Sequence, residues 1–585
     1  MSRRREVVDT LSRLAFVGEL IGPPEFPAGA YAAASWAARS YDGDFDRAFE
    51  SGELLRGLAF RGAPRAVVEA IFAGAPITEL SALQAQIPEG LFEVHELPGL
   101  GPKKVRTLWR DLGITTVGEL EYAARENRLL GLKGFGEKTQ AKLLHAIAER
   151  RKFAGMFRLD QIHEAFGVLK RSLDGVRVEL AGDARRGVTE VDRLRAVALL
   201  EGSLSRVSAM LGSAGHEPLV AASATPSEPA SDTVSGRLDR TSFELRVVSD
   251  PHVFGVAFLH ATGSQSHWDE LSERATQLGM DLRPDGLFRE KAKISCPEEG
   301  EVYDALGLVL IDPERREAGV PLVLKGTRRR RLIERRDLLG AIHNHTIASD
   351  GIGTLEQMRD AAVSRSLRYL AITDHSQTAA YAGGLTPEKL DMQRARISAL
   401  NSDEGGKSCV LLTGVESDIL ADGSLDYDSN TLASLDVVVA SVHDRIGHGR
   451  EVMTKRLVAA ASHPFSDVMG HPTGRLLLGA RRPADFDLDE FLDACARSGV
   501  AVELNASPQR LDLDAEALAK AKSRGVLVSI GADAHAPEAL DHLELGVVVA
   551  RRAGLSAEDV LNTRTLEELR AWLSVRKAKA RAGGV

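Results

Sequence analysis

The sequence predicts a multidomain α/β protein: helical domains in front, an α+β region in the middle, and a distorted β/α barrel at the end. Three observations carry that expectation. The chain has 585 residues, too many for one hydrophobic core, because cores stop growing beyond ~250–300 residues. Residues 6–80 have apolar side chains at helical spacing, with Ala-rich turns over residues 30–38. In the last third, the runs Tyr369-Leu370-Ala371-Ile372, Val437-Val438-Val439-Ala440 and Val526-Leu527-Val528-Ser529-Ile530 read as buried strands with helical stretches between them. That alternation makes a β/α barrel the natural container.

Composition narrows the class. The chain is 44% hydrophobic and 27% charged, ordinary for a soluble globular protein. A net charge of -9 excludes a uniformly basic surface, so any contact with nucleic acid has to come from local patches. The cysteines Cys296, Cys409 and Cys495 make neither a disulfide framework nor a zinc clip, which fits a reducing compartment. Residues 1–6 are basic but no apolar signal core follows. No stretch approaches the ~20 apolar residues of a membrane span. A cytoplasmic, nucleoid-associated monomer without membrane contact is expected.

Residues 1–85 read as a helical bundle with no chemistry of its own. Over 86–152, Leu97-Pro98-Gly99-Leu100-Gly101-Pro102-Lys103-Lys104 is echoed by Leu132-Lys133-Gly134-Phe135-Gly136-Glu137-Lys138-Thr139. Each is an apolar entry, a Gly-x-Gly turn and a helix start carrying lysine. Glycine permits the tight turn, and the free N–H groups at the helix start can hold phosphate. The pair resembles tandem helix-hairpin-helix DNA-binding motifs. That resemblance makes Gly99, Gly101, Lys103, Lys104, Gly134, Gly136 and Lys138 the expected DNA contacts. Such contacts position a protein without reading sequence. A third turn, Gly62-Ala63-Pro64-Arg65, is too degenerate to count.

The middle carries Ala181-Gly182-Asp183-Ala184-Arg185-Arg186-Gly187, Phe243-Glu244-Leu245-Arg246-Val247-Val248, Thr262-Gly263-Ser264 and Gly286-Leu287-Phe288-Arg289. On these residues it resembles the nucleotidyltransferase-like palm (153–248) and thumb (249–320) of family X DNA polymerases. Residues 221–236, rich in Ser, Ala, Thr and Pro, read as a disordered insert. Nucleotidyl transfer needs two magnesium ions clamped by carboxylates. The family supplies an Asp-x-Asp and a third acid. Here those slots, counted from Arg186, hold Arg193 and Arg195, with Glu244 third. Asp183 replaces the serine that meets triphosphate in the family, and His260-Ala261 replaces its Tyr-Phe. The resemblance therefore implies a degenerate polymerase site without magnesium. A one-residue slip toward Glu190 and Asp192 would flip the faces of the strand.

Residues 321–338 are a basic linker, with Lys325, Arg328-Arg329-Arg330-Arg331 and Arg335-Arg336, read as solvated or as a phosphate-contacting stripe. Over 339–585, ligand-type residues recur at or just after the apolar runs: His343-Asn344-His345, Asp350, Asp374-His375, Glu416, His443, His471 and Asp533-Ala534-His535. Alternation on a strand would point His343 and His345, and likewise Asp533 and His535, at one centre. Barrel chemistry sits at strand carboxyl ends, and mixed imidazole and carboxylate ligation suits zinc, manganese or iron. With His471-Pro472-Thr473-Gly474-Arg475, Glu503-Leu504-Asn505-Ala506 and Gly531-Ala532-Asp533-Ala534-His535, residues 339–555 resemble the PHP (polymerase and histidinol phosphatase) domain fused to bacterial family X polymerases. The resemblance implies three divalent ions, zinc or manganese. His343, His345, Glu416 and Asp533 would hold the first; Glu416, His443 and His471 the second; Asp350, His375 and His535 the third. It also makes Arg475 and Asn505 phosphate contacts, and Asp374 an outer carboxylate beside His375. The tail 564–585 reads as an amphipathic helix with a basic, glycine-rich end.

The expectation is a DNA-repair phosphoesterase acting on gapped, nicked or 3′-blocked DNA. Its reactions would be 3′→5′ exonuclease, 3′-end processing or abasic-site cleavage. The alternatives are a working polymerase with a PHP proofreading nuclease, a non-catalytic DNA-binding scaffold, and a small-molecule phosphatase, which would need no DNA grip.

Overall fold

The computed structural model describes residues 3–21, 26–39, 41, 45–200, 204–213, 217–220, 233–238, 241–328, 330–403 and 408–582. They fall into two compact units, Met1–Ala154 and Gly155–Val585. Among the described residues, no helix is long and apolar enough to cross a membrane.

The first unit is helical. Arg3–Ile21, Ala28–Arg39 and Ala63–Phe72 enclose Val7, Leu11, Leu14, Tyr31 and Val68, the apolar stripe that three-and-four spacing produces. A second core around Leu91, Leu108, Leu120 and Phe135 holds the two repeated turns. Gly99 (φ 82°) and Gly134 (φ 89°) adopt left-handed backbone, open to glycine without a Cβ penalty. The repeats match bond for bond: the Gly101 carbonyl accepts from Lys104 and Val105, and the Gly136 carbonyl from Thr139 and Gln140. Helices Pro102–Leu112 and Glu137–Lys152 follow. Lys103 and Lys138 are exposed at equivalent places in their helices, and Lys104 Nζ lies 5.5 Å from the Phe135 ring.

The second unit begins with a five-stranded mixed sheet, ordered Arg177–Ala181, Leu194–Leu199, Thr241–Val248, Thr233–Leu238, Glu217–Val220. Its pairing sets Arg195 between Ala181 and Glu244. The disordered insert expected over 221–236 needs correction at its end. Residues 221–232 lie outside the described residues, but Thr233–Leu238 is a strand paired along Thr241–Val248. Val234, Gly236 and Leu238 face inward, a period-two pattern that the small, polar composition obscured.

Helices Phe254–Thr262, Gln265–Gln277 and Glu299–Ala305 follow, with a three-stranded antiparallel sheet built from Met280–Arg283, Gly286–Arg289 and Ala292–Ile294. Glu299 ties these helices to the five-stranded sheet. It accepts from Arg185 (2.7 Å to each oxygen) and from Arg316 (2.6 and 3.1 Å). Arg316 is fully buried. Burial opposes the Glu299 charge, but the two arginines outweigh it and hold the carboxyl down at about 2. Glu299→Gln would strand a buried cation, so it should lower stability in urea unfolding by ~3–5 kcal/mol at neutral pH. Glu298→Gln, breaking the exposed pair with Arg177, should lower it by ~0–1 kcal/mol. Because the folded carboxyl titrates lower than the unfolded one, the Glu299 contribution is complete above the unfolded pKa. It should fade as the pH falls from about 4.5 toward 2. A Glu299→Gln loss as small as the Glu298→Gln loss would refute this account.

The barrel has seven parallel strands in chain order: Gly340–Ala341, Tyr369–Ile372, Val410–Asp418, Val437–Ser441, Val468–Met469, Ala501–Asn505 and Val528–Gly531. Nearly every strand residue is buried, as in a parallel sheet covered on both faces. First and last strands meet through a parallel bridge between Asn344 and Ala534. At the other end of that seam, Asn562 donates to the carbonyls of Gly340 and Ile530 and accepts from Ile530 N.

Helix Leu543–Arg552 of the barrel packs on the preceding domains of the same unit. Arg551 pairs with Glu314 and Asp312, and Arg552 with Glu317 and the Arg186 carbonyl. The basic stretch 321–338 runs as a strap. Ile333 is buried and donates to Leu555 O. Arg330 pairs with Glu558, Arg331 with Asp337, and Arg336 with Glu334. Arg329 lies outside the described residues.

Candidate functional site

The nine residues expected as ligands gather at the carboxyl ends of the barrel strands. Glu416 lies inside Val410–Asp418, and the others lie in the loops that follow strands. Strand alternation is not what aims them. The first strand ends at Ala341 and the last at Gly531, whereas His343 (φ 94°), His471 (φ 24°) and Asp533 (φ 49°) take left-handed backbone. Non-glycine residues adopt that conformation at a cost, which the surrounding structure has to hold in place.

Glu416 is the hub and is fully buried. Oε1 lies 2.9 Å from His471, 3.2 Å from His443 and 3.3 Å from His343. Oε2 lies 2.9 Å from His375 and 3.6 Å from His345. Asp533 Oδ1 approaches His345 at 3.2 Å and His343 at 3.6 Å. At the outer edge, Asp350 meets His535 at 3.3 Å and His375 at 3.5 Å.

Four groups have donor atoms close enough to share one ion: His345, Asp350, His375 and His535; His343, His471 and Asp533; His343, His345 and Glu416; His375, Glu416 and His443. The first contains the whole set expected for the third ion and adds His345. The group of His343, His345 and Glu416 falls within the expected first set, whereas the other two cut across the expected sets, bringing His471 to His343 and Asp533, and His375 to Glu416 and His443. His343 Nε2, both His345 ring nitrogens and Glu416 Oε2 are buried without a hydrogen-bond partner. Buried polar atoms of this kind need partners, and divalent cations fit these donors in both chemistry and position.

The outer partners were not legible as such. Glu503, quoted only as part of a motif, accepts from His343 Nδ1 at 2.6 Å and from His471 N at 2.7 Å. It reaches His343 because Gly531 has no side chain, since a Cβ there would come within 2.1 Å of Glu503 Oε1. Asp418, two residues beyond Glu416 on the same strand, accepts from His443 Nδ1. That spacing was the available signal. Asn505, expected at the phosphate, instead donates to Asp533 Oδ2 at 3.0 Å. Asp374 accepts from Thr346 N and Oγ1, Ser349 Oγ and Gln393, so it braces the loop that carries Asp350 rather than His375. Glu503→Gln, which keeps the shape but removes the charge and one acceptor, should weaken metal binding roughly 10–100-fold, as read by competitive metal titration. Unaltered affinity would refute the orienting role.

Arg475 also needs correction. Its guanidinium donates to the carbonyls of Arg510 and Leu511 and reaches Asp514, so it fixes a loop. The cation facing the cluster is Arg510. Its Nε lies 3.6 Å from Asp533, and its buried Nη1 has no hydrogen-bond partner.

Charge is divided unevenly across the cluster. Burial opposes ionisation everywhere, yet the histidines hold Glu416 and Asp533 well below the usual carboxylate range. Burial is likewise outweighed at His375, pushed up to about 10 by Glu416 and Asp350, and at His443 and His535, each raised to about 9 by neighbouring carboxylates. His345 goes down to about 3, through burial and then through the charges of His535 and His375. Cations entering the cluster would therefore displace protons.

In the five-stranded sheet the expected polymerase positions also converge, as ion pairs. Arg195 lies on its strand and Arg193 in the bend before it. Asp192 binds Arg195 at 2.8 Å and Arg193 at 3.0 Å. Glu244 lies 3.5 Å from Arg193, and Asp183 lies 3.7 Å from Arg195 and pairs with Arg186. Arg186 is also held by Glu317 at 2.8 Å. Glu190 accepts from Leu478 N of the barrel.

Comparison with known proteins completes the description. Residues 92–149 match the SAM-like helix-hairpin-helix tandem, and residues 257–317 match the DNA polymerase beta thumb. The DNA polymerase/3′-5′ exonuclease PolX of Bacillus subtilis (strain 168) is 33% identical over 576 residues, covering 97% of this chain and 99% of that protein. A probable phosphatase of Thermoanaerobacter sp. (strain X514) is 27% identical over 40% of this chain and 95% of its own length. One from Shewanella halifaxensis (strain HAW-EB4) is 28% identical over 40% of this chain and 92% of its own length.

Proposed function

The chain belongs to the family of the DNA polymerase/3′-5′ exonuclease PolX, and from that premise we propose that its working centre is the barrel cluster, hydrolysing phosphodiesters at DNA 3′ ends. The observation that carries this is the set of nine ligand-type side chains centred on buried Glu416, several with buried polar atoms that lack a hydrogen-bond partner. Residues 86–152 would grip gapped, nicked or 3′-blocked duplex through Lys103, Lys104 and Lys138, and the reactions fit DNA repair. The proposed domain limits are those read from the sequence, with Thr233–Leu238 returned to the sheet.

His343, His345, Asp350, His375, Glu416, His443, His471, Asp533 and His535 would hold divalent ions, zinc or manganese. Bound there, such ions supply Lewis acidity toward phosphoryl oxygen and water. The protein's own part is orientation. Glu503 and Asp418 set the ring planes of His343 and His443, and Asn505 steadies Asp533. Arg510 would bind a non-bridging phosphoryl oxygen with Nη1, which has no hydrogen-bond partner within the protein.

In this reading the palm performs no synthesis, because arginine occupies two of its three metal positions. A second reading, a working polymerase that edits with the barrel, is favoured by the near full-length likeness to a named polymerase/exonuclease.

The test is 3′-end shortening of a 5′-labelled primer in a gapped duplex, with manganese or zinc. Stepwise shortening is expected, and none with either metal would overturn the proposal. Replacing Lys103, Lys104 and Lys138 by alanine should weaken binding to all DNA sequences alike. It should also flatten the salt dependence by up to ~0.9 per lost phosphate contact. An unchanged salt slope would place the DNA grip elsewhere.

A further inference from the structure

Beside the metal cluster a cleft of about 480 Å³ opens between the loops after the third and fourth barrel strands, within the ~300–1,000 Å³ range of small-ligand sites. It shares His443 and Asp418 with the cluster, and Ile419, Leu420 and Ala421 form one wall. The cleft is rigidly built. Arg456 is buried and donates to the carbonyls of Ile419, Leu420 (2.8 Å) and Asp444 (2.8 Å), tying the two loops together. The first loop closes on itself through Leu420 N to Ser424 O (2.8 Å) and Gly423 N to Leu420 O (3.0 Å). At Gly423 a Cβ would come within 2.5 Å of Ala459.

The electrostatics of the lining exclude phosphate as its occupant. Arg456 is spent on carbonyls, Arg445 lies 3.1 Å from Asp444, and Asp418 adds a second carboxylate. An anion would meet two acids and no uncommitted cation. A neutral ring with amino and hydroxyl donors meets the opposite: acceptors at the edge and aliphatic surface to lie against.

We propose that this cleft receives the deoxynucleoside next to the scissile phosphate, while the phosphate sits on the cluster. This rests on the reading of the barrel as a 3′-end phosphodiesterase, and it assigns Ala421, Leu420 and Asp444 to substrate positioning. The base is held by shape and by its edge donors, so an unpaired terminal nucleotide enters more readily than a stacked one.

Ala421 is exposed, so Ala421→Trp fills the cleft without disturbing the core, and Ala421→Ser is the small control. On a labelled single-stranded oligonucleotide with manganese, the Trp variant should lose roughly tenfold or more in kcat/KM, chiefly through KM. Calorimetric binding to the manganese-loaded protein reads the cleft without turnover. There dCMP should bind wild type and Ala421→Ser at least roughly tenfold tighter than Ala421→Trp, while inorganic phosphate binds all three alike. Equal dCMP affinity, or equal oligonucleotide kinetics, would overturn the proposal. A wild-type protein that binds dCMP in this pattern but cuts no DNA would instead overturn the phosphodiesterase reading.

Discussion

Replacing Glu416 by alanine should reduce 3′-end hydrolysis by about a thousandfold or more while DNA binding persists. Glu416 is the carboxylate at the centre of the cluster, approached by His471, His443 and His343 at one oxygen and by His375 and His345 at the other. Its loss would leave two adjoining ligand groups without their shared anion. Metal Lewis acidity stabilises a phosphoryl transition state by several kcal/mol. Since ~1.36 kcal/mol is a factor of ten in rate, losing about 4 kcal/mol gives the thousandfold. Glu416→Gln keeps the shape and removes the charge, so it separates ligation from packing. Both variants should carry less manganese than wild type by elemental analysis. A Glu416→Ala protein within tenfold of wild-type activity would show that the cluster is not the working centre.

The second large effect is an absence: wild-type protein should incorporate no templated nucleotide, with magnesium or manganese. Asp192, Asp183 and Glu244 already pair with Arg193 and Arg195. Burial opposes the Asp192 charge, but the two arginines hold its carboxyl low. A divalent ion placed there would face two guanidinium groups and would have to displace them from the carboxylates they already hold. Arg193→Asp with Arg195→Asp should restore little, because Asp183, His260 and Ala261 also line the adjoining cleft. Extension should be measured on a one-nucleotide gap in a His345→Ala background, so that degradation cannot mask synthesis. Incorporation that Glu244→Ala abolishes would establish a working polymerase.

The strap offers a smaller lesson about reading charge. Its arginines read as solvated or as a phosphate stripe, and Arg330, Arg331 and Arg336 are indeed exposed to solvent, each pairing there with Glu558, Asp337 or Glu334. A run of like charge reveals nothing about the acids that distant segments bring to it.

The residue types by themselves determined the architecture and the chemistry of this protein. Buried apolar runs alternating with helical stretches hide both sheet faces as a helix-covered parallel sheet, of which the barrel is one form. Imidazoles and carboxylates recurring at strand ends pointed to divalent-metal ligation before any distance was known. The two Gly-x-Gly turns were equally legible, because Gly99 and Gly134 need a backbone that few other residues adopt. Tertiary structure alone decided which side chains share a centre. His343, His471 and Asp533 are aimed by left-handed backbone in loops, which no period of 2 or 3.6 encodes. Asn505 and Arg475 turned out to brace their neighbours, while Glu503 and Arg510 took places at the cluster. Those roles depend on contacts between residues far apart in the chain, His343 with Glu503 and Arg475 with the Arg510 carbonyl. Spacing along a sequence cannot carry them; only the closed barrel brings the partners within hydrogen-bond reach.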